Sequence, residues 1–406
     1  MCSGIVMDDI FSGFNTDNPA VFIAKGKDPY TNTIEVLSKI DLSPARGKKV
    51  LLKPNAGRID IPSSGIITNP QVVAGAIDSF KQAGAEVAVG ESPITGVKAF
   101  DAFEASGIAA VCRERQCPMI DLDVRWPVEK DIPGGIAIRK IKACADIFDF
   151  DFIVSIPVMK MHMHTGVTLS IKNLKGCLWR RSKVELHMLP EVEGSDEKPL
   201  NIAITDMSSI LRPHLAIIDG TVGMEGLGPS AGEPKELGLV LAGTNGFAAD
   251  AVACRLMGTS ADNIPYLRLA AQRGYGPIDL KKISIFPENW ETFISPFASS
   301  PDIISIDYPN IEIHDKNSCS ACQSTILLFL KRYGNIIFDY FDSDEILHIA
   351  IGKGHDDVPD KCLCVGNCTR AHKEKGKFVP GCPPVGSAIL KKLTGMTHLP
   401  GEIINT

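Results

Sequence analysis

Four cysteines near the C-terminal end have the types and spacing to hold a metal. Cys319-Ser-Ala-Cys322 is followed by Cys368 in GNCTR and by Cys382 in PGCPP. A CxxC turn brings two thiolates to one side, where they can share one ion or cluster. Cys319 precedes the helical pattern SACQSTILLFLKRYG, and Cys382 precedes PPVGSAILKKL, so both are expected to open helices. Unpaired N–H groups at a helix start favour a thiolate and can donate to cluster sulfides. Structural zinc usually takes two CxxC knuckles. Here only one is present and the other cysteines stand apart, which favours a [4Fe–4S] cluster with zinc as the alternative. Buried, unliganded thiols are the plainer reading, because Cys is common in cores. Cys364 is the reserve ligand: it sits in the strand-like KCLCVGN and should face away from Leu363 and Val365.

A second group of chemically capable residues lies in PVMKMHMHTGVTLSIKNLKGCLWRRSKVELHML, Pro157 to Leu189. Lys160, Lys172 and Asn173 suit a carboxylate or phosphate. His162 and His187 are the preferred proton-transfer pair, with little to separate His162 from His164. A solvated basic face is the competing reading of the same run. Lys53 and Asn55 close the run KVLLKPN, and Gly90-Glu91-Ser92 closes EVAVGES. Asp219 closes HLAIIDG and leads into TVGMEGLGPSAG, which is neither a Walker sequence nor GxGxxG. That segment reads equally well as a backbone cradle for a ligand or as a surface loop. Asp250, in NGFAADAVAC, is either a helix-borne acid or a buried, satisfied carboxylate. The candidate set is therefore Lys160, His162, His187 and Asp219 for chemistry, and Lys53, Asn55, Lys172, Asn173 and Asp250 for substrate binding.

These residues need elements to hold them. Short runs rich in Val, Ile and Leu alternate with helical patterns over the first ~300 residues, which predicts βαβ units and a mostly parallel sheet flanked by helices. The strand candidates are AVFIA (20–24), KVLLK (49–53), EVAVG (86–90), DFIVSIP (151–157), HLAIIDG (214–220), LGLVLAG (237–243) and ISIF (283–286). Asn69-Pro70 should cap a helix over PQVVAGAIDSFKQ, and Gly258 should stop the helix of NGFAADAVACRLMG. The alternation breaks at ENWETFISPFASSPDI, 288–303. Two domains follow: an α/β substrate-binding core, 1–302, and a smaller cysteine-rich α+β domain, 303–406. In the first, the candidate residues fall at strand C-terminal ends, where open α/β sheets bind ligands.

Composition narrows the partners. A net charge of −6 gives no footprint for nucleic acid. No run approaches the ~20 apolar residues of a membrane span, and MCSGIVMDDIFSG lacks the basic start of a signal peptide. Twelve cysteines, unevenly placed in a 406-residue chain, are expected to be reduced thiols in a cytoplasmic protein.

The segments KPN (53–55), GES (90–92), KMHMHTGVTLSIKNLKG (160–176), IIDGTVGMEGLGPSAG (217–232) and AADAVACRLMG (248–258) resemble the prokaryotic family labelled "domain of unknown function 362", in order and spacing over roughly residues 20–290. The CSAC…GNC…PGCPP tail resembles the cluster-bearing tail of one subgroup, and differs from the dense CxxCxxCxxxCP pattern of other members. A distant likeness of architecture to the N-terminal domain of lactate-racemase-like proteins brings no motif for their nickel pincer cofactor. The resemblance supports the fold, the cluster and the candidate site residues; it names no substrate.

The expectation is a cytoplasmic [4Fe–4S] redox enzyme acting on a small anionic substrate, with a ferredoxin-like electron donor and a homo-oligomeric state both compatible. A non-redox lyase or isomerase using the cluster or the basic pocket is the first alternative. A non-catalytic electron-transfer or cluster-assembly partner is the second.

Overall fold

The computed structural model describes residues 19–299, 308, 310–339, 346–397 and 399. The chain divides into two compact units, Met1–Ser300 and Pro301–Thr406. The boundary expected at 302/303 and the N-terminal stretch MCSGIVMDDIFSG lie outside the described residues. Among the described residues no helix is long and apolar enough to cross a membrane.

The strands of the larger unit are β1 (Ala20–Lys25), β2 (Lys49–Pro54), β3 (Glu86–Glu91), β4 (Met119–Asp121), β5 (Val128–Asp131), β6 (Lys140–Ala143), β7 (Phe152–Ile156), β8 (Val158–His162), β9 (Gly166–Thr168), β10 (Leu215–Glu225), β11 (Glu233–Gly243) and β12 (Ser284–Phe286). The main sheet runs β12-β1-β11-β10-β7-β2-β3-β4, with β8 and β9 added beside β10, and β5 and β6 form a separate hairpin. The β10, β7, β2, β3 and β4 run is parallel. Apolar side chains line both of its faces, as parallel sheets covered by helices require. One face packs on the helices Pro70–Gln82 and Ala99–Ala105. The other packs on Pro199–Ser208, Gly246–Leu256 and Pro265–Gln272. Asn69 caps the first of these helices by accepting from the Gln71 N–H at 2.9 Å, with Pro70 at its first position.

The sequence reading missed three antiparallel hairpins, β5–β6 and the two that shape the site. The chain does not turn at Asp219-Gly220: β10 continues through a register shift between Gly220 and Val222 to Glu225, and pairs with β11. The segment after DFIVSIP is not a loop either. Pro157 has no N–H for the ladder, so β7 stops and β8 resumes along β10, then folds back as β9. Glycines and polar residues made both stretches look like loops; long-range pairing overrides that local signal.

The smaller unit has a four-stranded, all-parallel sheet, β13 (Ile311–Asp315), β14 (Leu347–Ile351), β15 (Cys362–Val365) and β16 (Gly376–Val379), in that order. Leu347, Ile349, Ile351, Leu363 and Val365 pack on the helices Ser320–Tyr333 and Gly386–Thr394. Cys362 and Cys364 point to the other face, with Ala350 and Val358.

Candidate functional site

In the larger unit the candidates gather where β2, β3 and β7 end. Lys53 Nζ donates to Pro54 O (2.8 Å), Glu91 Oε2 (2.7 Å) and Asn173 Oδ1 (3.4 Å). Glu91 also accepts the N–H groups of Ala56 and Ser92, each at 2.9 Å. Asn173 Nδ2 returns to Lys53 O (3.0 Å) and Ser155 Oγ (3.1 Å). Gly176 packs closely on this knot: a Cβ there would lie 2.6 Å from Lys53 Nζ and from Glu91 Oε1 and would push the pair aside. Lys53, Glu91 and Asn173 thus form a closed, neutral scaffold. Glu91 was noticed in the sequence only as a strand end; its role needed the long-range partner Lys53.

Lys160, His162 and His164 come from β8 and the β8–β9 turn, Thr168 from β9, and Lys172 and Asn173 from the short helix Ser170–Asn173. All are buried, which excludes a solvated face for this part of the run, while Arg180 and Arg181 are exposed. Among the described residues Lys160 Nζ has one acceptor, Ile66 O at 2.8 Å, and Lys172 Nζ one, Thr168 Oγ1 at 3.1 Å. Burial pushes both ammonium groups down to about 7, and each also feels like charge: Arg58 acts on Lys160, and Lys160 acts on Lys172. Lys175 is lowered well below its ordinary value by burial and by Lys172 and Lys183. No ion pair to Lys160, Lys172 or Lys175 occurs among the described residues.

The imidazoles form a row. His162 and His164 ring centres are 5.9 Å apart, and His164 and His187 ring centres 6.2 Å. His164, which the sequence could not separate from His162, lies between the preferred pair. His162 Nδ1 accepts the His164 N–H at 3.1 Å, so the neutral ring carries its proton on Nε2. Lys175 Nζ meets His187 Nε2 in a short hydrogen bond. Burial, then neighbouring positive charge, holds His162 and His187 well below the ordinary imidazole range. Lys175 was in the basic run but was not singled out; it is distinguished by its partner in space, not by its position in the chain.

Two candidates serve the backbone with their carboxylates, and Asn55 is held by its own backbone N–H. Asp219 Oδ2 accepts the Asn69 N–H at 2.7 Å, and its Oδ1 accepts from Thr221 N at 2.9 Å and from the Thr221 hydroxyl. Asp250 accepts the Ser170 and Ile171 N–H groups at 2.8 and 3.1 Å, capping the helix that carries Lys172 and Asn173. Burial raises both carboxyls, Asp250 to about 7. Asn55 binds Ile156 O and Thr68 Oγ1 through its backbone N–H, while its side-chain Oδ1 is buried without a partner.

In the smaller unit the cysteines occupy one corner. Cys319 is the N-cap of Ser320–Tyr333, and Cys322 lies in its first turn. Gly366 N donates to Val379 O and Asn367 N to Gly381 O, each at 2.9 Å, pinning the Cys368 loop beside the Cys382 loop. Thr325 Oγ1 ties the latter to the helix through Pro384 O at 3.1 Å. Gly366, at φ 94°, leaves room for Cys322: a Cβ would sit 3.3 Å from its Sγ. A hydrogen bond from Cys322, helped by first-turn amides, pulls Cys319 down to about 6. Cys322 is raised, first by that hydrogen bond and burial, then by the charges of Cys319, Cys368 and Cys382. Cys382 does not open a helix as expected. The helix starts at Gly386, because Pro383 and Pro384 disfavour helical backbone in the residues before them. Cys364 is on the opposite face, donating to His372 O at 3.5 Å.

Among the described residues Glu312, His314 and His348 form a group of metal-competent side chains whose ligand atoms all lie within 4.8 Å of one another. The smaller unit therefore carries side chains able to hold a metal.

Thylakoid-associated protein sll1697 of Synechocystis is 28% identical over 232 residues, 57% of this chain and 70% of the relative. The lactate racemase apoprotein from Thermoanaerobacterium thermosaccharolyticum superposes with a TM-score of 0.39 and 14% identity, over 61% of this chain and 58% of that one. Residues 50–255, which hold every candidate of the larger unit, match one family model, and the chain belongs to that family, Domain of unknown function (DUF362).

Proposed function

We propose that this chain is an iron–sulfur enzyme acting on a small anionic substrate bound in its larger unit. The observation that carries the reading is the Lys160, Lys172 and Lys175 set. These three amino groups gather beside three imidazoles, burial and like charge lower all of them, and none makes a direct ion pair with a carboxylate among the described residues. Isolated buried charge is strongly unfavourable. A carboxylate or phosphate would supply the missing negative charge and accept the free N–H groups of Lys160 and Lys172. The His162 Nε2–H is then a donor toward bound substrate, and the Lys175–His187 pair can take up or release a proton. Lys53, Asn173, Asp219 and Asp250 hold these groups in place. Asn55 Oδ1 remains as an acceptor for a substrate hydroxyl or amide.

Cys319, Cys322, Cys368 and Cys382 would hold the cluster, and their chemistry fits it. One sulfur is held near its thiolate form at a helix start, and the other three cysteines all lie within electrostatic reach of Cys322. A single CxxC pair with two separated cysteines favours the cluster over the paired knuckles usual for structural zinc. A [4Fe–4S] centre supplies one-electron chemistry, drawn from a ferredoxin-like donor. All eleven described cysteines are free thiols, which accords with a reducing, cytoplasmic compartment.

The test is thermal unfolding of anaerobically purified protein with small carboxylates and phosphates. A ligand at 100 times its Kd should stabilise the wild type by about 2.7 kcal/mol. Lys160→Ala and Lys172→Ala should abolish the shift while keeping cluster absorption. Equal shifts in wild type and variants would overturn the reading.

A further inference from the structure

The smaller unit presents a second, chemically different constellation on the sheet face away from the helix Ser320–Tyr333. In β13 and β14 the parallel register sets Glu312 opposite His348 and His314 opposite Ala350. Leu347, Ile349 and Ile351 point to the helices, so strand alternation places Glu312, His314 and His348 together on the other face. His314 Nε2 lies 3.0 Å from His348 Nδ1, and His348 Nδ1 lies 3.1 Å from Glu312 Oε2. A single nitrogen, His348 Nδ1, thus faces both a carboxylate and a second imidazole. A proton on that nitrogen can serve only one of the two neighbours at a time.

We infer that Glu312, His314 and His348 form a binding site for a divalent cation of the zinc class, separate from the four-cysteine corner. A metal replaces the shared proton with three direct bonds. Bonds of about 2.0–2.2 Å at tetrahedral angles put ligand atoms roughly 3.3–3.5 Å apart, close to the 3.0 and 3.1 Å that separate His348 Nδ1 from its two neighbours. Imidazole and carboxylate suit zinc, iron(II), nickel or copper, whereas the thiolate corner suits an iron–sulfur cluster. Two sites in one small unit can therefore be loaded by different metals without competing. Two histidines and one carboxylate leave a fourth position open, so a bound water or an incoming ligand completes the coordination. The imidazoles are partly buried and the Glu312 side chain is 56% exposed, so an ion can reach the site from solvent.

The experiment uses the full anaerobically purified chain, dialysed against Zn²⁺, with zinc counted per chain and the imidazole ¹⁵N resonances recorded. One zinc is expected in the wild type and in Cys319→Ser, with the His314 Nε2 and His348 Nδ1 signals shifted on zinc addition. His314→Ala and His348→Ala should lose it. Glu312→Gln, at an exposed position that leaves the fold intact, should weaken binding at least about tenfold. Zinc retained by both histidine variants, zinc lost only in Cys319→Ser, or histidine resonances unmoved by zinc would each overturn the assignment.

Discussion

The Lys53 ammonium lies 2.7 Å from the Glu91 carboxylate, with both side chains almost wholly buried. Every N–H of that ammonium has an acceptor, and the carboxylate takes two backbone N–H groups besides. The pair is complete in itself. It makes no direct ion pair with Lys160, Lys172 or Lys175, and at Lys160 the pull of Glu91 is opposed by the like charge of Lys53.

Removing one member should be far worse than removing both. Lys53→Met strands a buried carboxylate and should destabilise the larger unit by about 3–5 kcal/mol. Lys53→Met/Glu91→Leu should recover part of that. Urea unfolding of the single and double variants decides the point; equal losses would mean that the knot acts through packing and not through charge.

Asp250 is expected to act through the helix it caps. Asp250→Ala leaves the buried Ser170 and Ile171 N–H groups without their acceptor, so a loss of roughly 2 kcal/mol or more is expected. Asp250→Asn keeps one acceptor oxygen and should lose less. Hydrogen exchange at Ser170 and Ile171 should accelerate in step. Unchanged exchange in Asp250→Ala would assign the carboxylate to substrate instead.

Much of this was legible in the sequence, for identifiable reasons. Strands such as KVLLK and DFIVSIP are short, apolar and cleanly bounded, and Asn69-Pro70 is a strong local cap. The strand-end position of Lys53 and Asn55 follows from where KVLLK stops. Less legible were relationships set by register. Glu91 acquires its role from Lys53, 38 residues away. For Asp250 the sequence left a helix-borne acid and a satisfied carboxylate both open, and the Asn69, Ser170 and Ile171 N–H groups that Asp219 and Asp250 accept come from residues far away in the chain. The alternation in IEIHD puts Glu312 and His314 on one face, yet nothing local says that His348 arrives beside them.

For the cysteines, Cys319→Ser and Cys368→Ser should abolish iron and acid-labile sulfide in anaerobically prepared protein, together with any EPR signal on reduction. Cys364→Ser should retain both, because its thiol points to the opposite sheet face. Iron loss in Cys364→Ser with retention in Cys368→Ser would reassign the fourth ligand.

The buried lysines make stability depend on pH in a defined direction. Lys160 and Lys172 fall from 10.5 to about 7 on folding. Below that value both the folded and the unfolded chain hold the protons. From about 7 up to 10.5 the unfolded chain holds protons the folded one has released, so ligand-free stability should rise with pH. Urea midpoints at pH 7, 8 and 9 should climb in the wild type and flatten in Lys160→Met/Lys172→Met. Identical profiles would place the titration elsewhere.

Proton uptake on anion binding tests the open-cation site most directly. At pH 8 Lys160 and Lys172 are largely neutral in the ligand-free protein, and a bound anion restores their charge. Calorimetry with inorganic phosphate and with a small dicarboxylate, in two buffers of different ionisation enthalpy, should show net proton uptake with at least one of them. Uptake should vanish in Lys160→Met/Lys172→Met. Binding with no proton uptake, or the same uptake in that variant, would contradict a site built on these lysines.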